Sequence, residues 1–164
     1  MLKQCKCGAR VLAMVALAGS ALAQDAGTVR FYKLDFVVKE VEAGKVLNTR
    51  TYSTMISSDK AERTAIRTGT KVPYQGSPEI RYADVGVNID CERVHELDAA
   101  LTLGVSADLS SIPQDQPGNP PIIRQNKWSS TVILPLRKPT ILFTSDDPAS
   151  RQQMQLELTA TPIR

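Results

Sequence analysis

Apolar and polar residues alternate along most of the chain, and this alternation is the pattern of half-buried β-strands. In residues 32–36, Tyr32, Leu34 and Phe36 fall on one strand face, whereas Lys33 and Asp35 fall on the other. The same criterion predicts strands over residues 32–41, 46–56, 85–94, 97–109, 132–134, 140–143 and 154–160, with a further short strand that ends at Gly69. No stretch after residue 23 keeps a helical period, so the pattern predicts an all-β domain.

The two middle strands carry the clearest alternation. Leu101, Leu103 and Val105 are predicted to face the core, and Thr102 is predicted to face away from it. A slip of one residue would turn every side chain to the other face, so the register of such strands is well defined. We expect the two strands to form a hairpin that turns near His95. The alternate positions in phase with this core set are Leu97, Ala99, Ala107 and Leu109.

Turn-forming residues separate the predicted strands. Ala43 and Gly44 interrupt the alternation after the first strand, and residues 69–73, Gly-Thr-Lys-Val-Pro, are predicted to form a turn. Residues 112–122 hold several prolines and a glycine, which excludes regular structure there. The strands have one apolar face and one face rich in Thr, Ser and charge. We therefore expect an antiparallel sheet or a two-sheet sandwich built from hairpins.

The first 23 residues have the three parts of a secretory signal peptide. Lys3, Lys6 and Arg10 precede an apolar run over residues 11–23, which ends in Ala-Leu-Ala before Gln24. The alternative, a transmembrane anchor, needs ~20 apolar residues, and this run is shorter. We therefore expect a signal peptide over residues 1–23 and a single all-β domain over residues 24–164.

Removal of the leader changes the charge balance and the cysteine content. The leader holds three basic and no acidic residues, so the rest of the chain has equal numbers of each, and net charge does not favour a nucleic acid partner. Cys5 and Cys7 lie in the leader, which leaves only Cys91, and one cysteine cannot form an internal disulfide. Cys91 is either a reactive or intermolecular thiol or, as we favour, a small buried side chain on a strand face.

Few residues after the leader carry the chemistry of a known kind of active site. His95 is the only histidine, too little for a histidine metal site or a conventional Cys-His pair, and we interpret it as a solvated turn residue. Asp146 and Asp147 lack the spaced acidic loop of a calcium site and are predicted to cap a hairpin connection. Trp128 is predicted to pack in the core. Since nucleotide-binding and nucleophile motifs are also missing, we predict no enzymatic activity, no metal site and no cofactor.

A series of short motifs follows a characteristic order within residues 61–143. It comprises Ala65 to Gly69, Val72-Pro73, Tyr82, Asp84 to Gly86, Leu101, Leu103, Val105, Ser106 to Ser111, Pro121 to Arg124, and Ser130 to Val132. This order resembles the barrel region of the secretins, the outer-membrane channel proteins of type II and type III secretion systems and of type IV pili. Secretins carry long gate-forming hairpins between the Val-Pro and Asp-Val-Gly motifs, whereas this chain has only residues 74–81 there. The chain thus resembles a shortened secretin region.

The resemblance implies an exported bacterial protein, in the periplasm or at the outer membrane, linked to a secretion or pilus machine. We favour a non-enzymatic domain with a structural or interaction role and a protein partner in such a machine. The alternatives are an oligomeric outer-membrane channel subunit and a soluble sandwich that binds a small ligand or sugar. Membrane association is possible but not favoured, because charged side chains on the outward faces would be costly against lipid. These predicted outward residues are Lys33, Asp35, Asn88, Asp90, Asp98, Asp108 and Glu157.

Overall fold

The computed structural model describes residues 29–59, 62–75, 79–112, 122–147 and 151–163. The predicted leader, residues 1–23, lies outside the described residues. The described chain forms eight strands: β1 (Phe31–Glu42), β2 (Lys45–Ser57), β3 (Arg63–Gln75), β4 (Ile80–Leu97), β5 (Ala100–Ser111), β6 (Arg124–Pro135), β7 (Thr140–Asp146) and β8 (Gln152–Ile163). In these ranges there is no helix of the length and apolarity needed to cross a membrane.

The strands form two four-stranded antiparallel sheets. The first sheet has the order β2-β1-β8-β7, and the second has the order β3-β4-β5-β6. One apolar cluster includes buried residues from both sheets, as expected for sheets packed face to face. The predicted all-β fold is confirmed, and of the two predicted architectures the structure has the sandwich.

The core follows from the alternation in β1 and β5. Leu34 and Phe36 of β1 are fully buried, as are Leu101 and Leu103 of β5. Because side chains alternate between the two faces of a strand, the residues between them face outward. Thr102 is one of these, and its hydroxyl donates a hydrogen bond of 3.1 Å to the His95 carbonyl. The predicted faces of these two strands are therefore confirmed.

A β-bulge in β4 overturns the predicted position of the middle hairpin. The β4–β5 register shifts by one residue between Glu92 and His95, and Arg93 has a positive φ of 56°. The extra residue allows Val94 to enter the core although Cys91 is also inward. His95 therefore lies within β4, opposite Thr102, and is not at the turn.

The turn of this hairpin lies at residues 98–99, three residues later than predicted. Leu97 ends β4 with 44% of its surface exposed, and Ala99 is exposed in the turn. The prediction that these two residues belong to the core is therefore wrong. Across the turn, Leu97 pairs with Ala100 and Glu96 pairs with Leu101, so an alternation counted straight through from β5 places Leu97 and Ala99 on the wrong face.

The predicted turn over residues 69–73 is also wrong, because this segment is the middle of β3. Gly69 pairs with Gly86, and Pro73 pairs with Tyr82. The Gly86 N–H and carbonyl both bond to the Ser110 hydroxyl of β5, so they point away from β3. The Gly69–Gly86 pair is therefore of the non-hydrogen-bonded type. Pro73 is in phase with Gly69, so its missing N–H faces the outer edge of the sheet, where proline is tolerated.

Two other predicted boundaries can be compared with the structure. The sixth strand begins at Arg124 although the alternation was clear only over residues 132–134, because polar residues occupy its outward face. The turn predicted at Ala43 and Gly44 is confirmed, with positive φ angles of 49° and 81° at these two residues.

Candidate interaction site

The second sheet divides at one end. The strand β4 begins at Ile80, but its pairing with β5 begins only at Val87. In the described part of the chain, residues 80–86 of β4 pair only with β3. The strands β5 and β6 stay paired as far as Ser111 and Arg124. The β3–β4 ribbon over residues 70–75 and 80–85 therefore extends past the β4–β5 ladder, and we call it the arm.

Ser110 holds the point where the sheet divides. Its hydroxyl accepts a hydrogen bond of 2.9 Å from the Gly86 N–H and donates one of 3.3 Å to the Gly86 carbonyl. A side chain thus replaces the backbone ladder at the base of the arm.

Glycine is required at position 86 because β3 approaches closely. A Cβ atom added there would lie 2.1 Å from the Thr68 carbonyl oxygen and 2.4 Å from the Gly69 Cα. Both neighbours are backbone atoms, which cannot move aside as a flexible side chain can. The position where the sheet divides is therefore defined by Gly86 and Ser110 together.

A cleft of about 490 Å³ opens beside the base of the arm. Its polar wall includes Arg50 and Tyr52 of β2, and its apolar surface includes Val72 and Val85 of the arm. The remaining lining residues are Thr68, Gly69, Thr70, Gly86, Val87, Ser110, Ser111 and Ile112. The cleft therefore combines one guanidinium group, several hydroxyl groups and an apolar floor.

Large apolar side chains are exposed on the other face of the arm. Ile80 is 65% exposed and Tyr82 is 63% exposed. Of the charged residues of the arm, Lys71 lies 4.0 Å from Asp84 across the two strands. Adjacent exposed apolar residues on a projecting ribbon are a feature of surfaces that bind other molecules.

The outward faces of the sandwich are polar and paired. Lys39 contacts Glu157 at 2.6 Å on the first sheet, and Arg67 contacts Asp90 at 2.6 Å on the second. Of the residues predicted to face outward, Asp98 lies in the turn after β4. The others lie on the outward faces, in accordance with prediction, and are Lys33, Asp35, Asn88, Asp90, Asp108 and Glu157.

The residues considered as candidates for chemistry do not converge on one site. Cys91 is buried on the inward face of β4, as we favoured, and burial raises the pKa of its thiol to about 12. His95 is exposed, on the strand and not in the turn where we expected it. Within the described ranges, no group of three or more His, Cys, Asp or Glu residues is arranged to hold a metal ion.

Trp128, Asp146 and Asp147 make structural contacts within the sandwich. Trp128 of β6 packs against the core, as predicted, and its ring stacks on that of Phe143 at a centroid distance of 6.2 Å. Asp146 ends β7 and accepts a hydrogen bond from Gln153. Asp147 forms an ion pair of 2.7 Å with Arg124, so this acidic pair links neighbouring strands at the end of the sandwich.

Several cleft residues, among them Gly69, Val85, Gly86 and Ser110, belong to the motifs of the resemblance, but the sequence did not indicate that they line a cleft. Arg50 and Ser110 belong to strands whose alternation gives no sign that the sheet divides. The close pairing of Gly69 with Gly86 is the one local signal, because a glycine inside a strand marks a close backbone approach.

No protein-family model matches the sequence, and no curated protein matches it. Similar folds occur among solved structures. The T2SS secretin XcpQ from Pseudomonas aeruginosa has a TM-score of 0.51 and 14% sequence identity, over 83% of this chain and 57% of that chain. The Salmonella SPI-1 type III secretion injectisome secretin InvG has a TM-score of 0.49 and 8% identity, over 83% and 64% of the two chains. ExeD from Aeromonas hydrophila has a TM-score of 0.47 and 10% identity, over 83% and 47%.

This chain thus spans little more than half the length of the XcpQ chain that it matches. At 14% identity, the similarity concerns the fold. The resemblance expected from the short motifs is confirmed at that level: the two four-stranded sheets of this chain have a secretin-like fold.

Proposed function

We propose that residues 24–164 form an exported, non-enzymatic β-domain of the bacterial envelope, with a structural or interaction role linked to a secretion or pilus system. The observation that carries this proposal is the secretin-like fold, which aligns with the T2SS secretin XcpQ over 83% of the chain. Since a fold alone does not determine a function, the surface of the domain supplies the second part of the argument. In the described part of the chain, that surface includes the arm beside a cleft.

The contacts made by the polar residues and by Cys91 agree with a binding role for the arm. The outward carboxylates are paired with lysine or arginine side chains, and Cys91 is a buried part of the core. These groups stabilise the sandwich, whereas Ile80 and Tyr82 on the arm are among the most exposed large apolar side chains of the described residues, together with Met55 and Ile133. The arm is therefore the part of the surface that we expect to contact a protein partner.

The oligomeric channel subunit is supported as a second candidate by the sheet edges. In the described ranges, β2, β7, β3 and β6 are edge strands, and β2 and β3 each have 13 residues. Long unpaired edges can pair with strands of another copy. We favour the smaller assembly because Pro73 lies in phase with Gly69, so the outer edge of β3 lacks one N–H that edge-to-edge pairing would need.

Export and partner binding can be tested in one experiment. A C-terminally tagged copy is expressed in the source bacterium, cross-linked in the envelope, purified and examined by mass spectrometry. We expect an N-terminus at Gln24, produced by signal peptidase cleavage after Ala23, and cross-links to components of a secretion or pilus system. A product that retains Met1, or one recovered without any such component, would contradict the corresponding part of the proposal.

A further inference from the structure

We propose that the protein forms a two-fold symmetric dimer, in which the outer face of the first sheet packs against the same face of a second copy. This outer face consists of the side chains of β1, β2, β7 and β8 that alternate with the core residues and therefore point away from the core. The inference goes beyond the proposed function, because it concerns a surface other than the arm and a partner other than a secretion component.

Uncharged side chains predominate on this outer face. Val37 lies near its middle, since it pairs with Thr51 of β2 and with Glu157 of β8. Phe31 and Met55 lie toward one end, where they are 53% and 62% exposed. β-Branched residues suit a sheet surface that is half-buried, and exposed apolar residues on such a surface mark an interaction site. Hydroxyl-bearing residues of this face include Thr49, Thr51, Ser53, Thr144, Thr159 and Thr161.

The charges near the middle of this face neutralise one another within the chain. Lys39 contacts Glu157 at 2.6 Å, and Lys33 contacts Asp35 at 2.9 Å. The side chains of Lys39, Glu157 and Asp35 are each less than one-third exposed, so much of their surface is already removed from water. Asp146 also points outward, but it ends the edge strand β7 and stays at the rim of the contact. A second copy can therefore cover this face without leaving a buried charge unpaired.

The outer face of the second sheet is less suited to such a contact. Arg67 and Asp90 form an ion pair there, with both side chains more than half exposed. The side chains of Arg63 and Lys127 are at least two-thirds exposed. Removing these charges from water would be costly, so the first sheet provides the better surface for a dimer.

The area of the outer face matches the requirement of a stable dimer. The strands β1, β2, β7 and β8 have 12, 13, 7 and 12 residues. At ~3.3 Å per residue and ~4.8 Å between strands, the face covers roughly 700 Å². A specific interface of standard size buries about 800 Å² on each partner, and stacked sheets lie about 10 Å apart. Two copies packed face to face would therefore form an interface of this class.

Two identical faces can meet here without electrostatic repulsion. Residues 24–164 hold equal numbers of basic and acidic residues, so two copies have no net charge to repel each other at long range. In a two-fold interface the same residues contribute from both copies. Val37 then lies near the symmetry axis, because it is near the middle of the face.

Sedimentation velocity of residues 24–164 in plain buffer measures the association over protein concentrations from about 1 to about 100 μM. We expect a reversible shift from the monomer mass to the dimer mass as the concentration rises. The same measurement in detergent shows whether lipid-like molecules cover this face instead.

Three arginine substitutions locate the contact. Val37→Arg places an unpaired charge near the symmetry axis and is expected to weaken dimerisation at least about 100-fold. Thr51→Arg, opposite Val37 on the edge strand β2, is expected to weaken it at least about tenfold. Ser129→Arg is the matched control on the outer face of the second sheet, and it should leave dimerisation unchanged.

The inference is overturned if the protein stays monomeric at every concentration, or if it stays monomeric and binds detergent through this face. It is also overturned if Val37→Arg and Thr51→Arg dimerise normally, or if Ser129→Arg weakens dimerisation as strongly as they do. Thermal unfolding monitors whether Val37→Arg folds. If it does not, Thr51→Arg decides, because the Thr51 side chain is already exposed to water. A monomer contradicts only the dimer, whereas failure of export or of cross-linking contradicts the proposed function, so the two failures are distinguishable.

Discussion

Replacement of Leu103 by alanine is expected to lower the free energy of unfolding by about 2–5 kcal/mol, the range for large-to-small changes in a packed core. Leu103 is fully buried in β5, which lies between β4 and β6 in the second sheet. Loss of its side chain would leave a cavity that the paired strands on both sides cannot easily fill. Urea unfolding followed by circular dichroism measures the effect.

Thr102→Ala is the matched control, because Thr102 is the next residue in the same strand and faces outward. It loses one hydrogen bond to the His95 carbonyl, so we expect a cost of about 1 kcal/mol or less. Similar small effects of Leu103→Ala and Thr102→Ala would show that the strand faces are assigned wrongly.

Gly86→Ala is expected to destabilise the protein by about 3 kcal/mol or more, at or above the usual upper limit for overpacking. The added methyl group would lie 2.1 Å from the Thr68 carbonyl oxygen, so β3 and β4 must separate at the base of the arm. The same unfolding measurement applies.

Gly104→Ala is the control for the glycine substitution in the same sheet. An added Cβ there would lie 3.1 Å from the Arg93 guanidinium, which can move aside, and 3.2 Å from the Glu92 carbonyl oxygen, a much milder approach than at Gly86. We expect a cost well below that of Gly86→Ala. Equal costs at the two positions would contradict the close approach of β3 and β4 as the reason for glycine at 86.

The alternation of apolar residues predicted the sandwich because most of its strands have one buried face. Leu34 and Phe36 in β1, and Leu101 and Leu103 in β5, are buried as predicted. A prediction from strict alternation of apolar and polar residues fails where a strand contains an irregularity. The bulge at Arg93 inserts one residue, so that Val94 follows Cys91 into the core out of phase. This break in the alternation resembles the end of a strand, and the pattern therefore predicts the hairpin near His95 instead of at residues 98–99.

The candidate interaction site was harder to predict, since it depends on where pairing between strands ends. The Gly-Thr-Lys-Val-Pro segment has turn-forming residues, yet pairing with β4 keeps it extended as far as Gln75. Glycine at 69 serves the close approach to Gly86, and proline at 73 is accommodated by the free edge. Local sequence marks Gly69 and Pro73 as unusual strand residues, but it does not show which neighbouring strand or edge accommodates them.

The oligomeric state of residues 24–164 in plain buffer tests the proposed function most directly. Analytical ultracentrifugation with and without detergent, followed by conductance measurements in a planar bilayer, distinguishes a self-contained domain from a channel subunit. The outward charged residues, such as Lys39 and Glu157, and the blunted edge of β3 predict a monomer or small oligomer without detergent, and no conductance. A large ring that requires detergent and conducts ions would contradict this account and would establish the channel subunit instead.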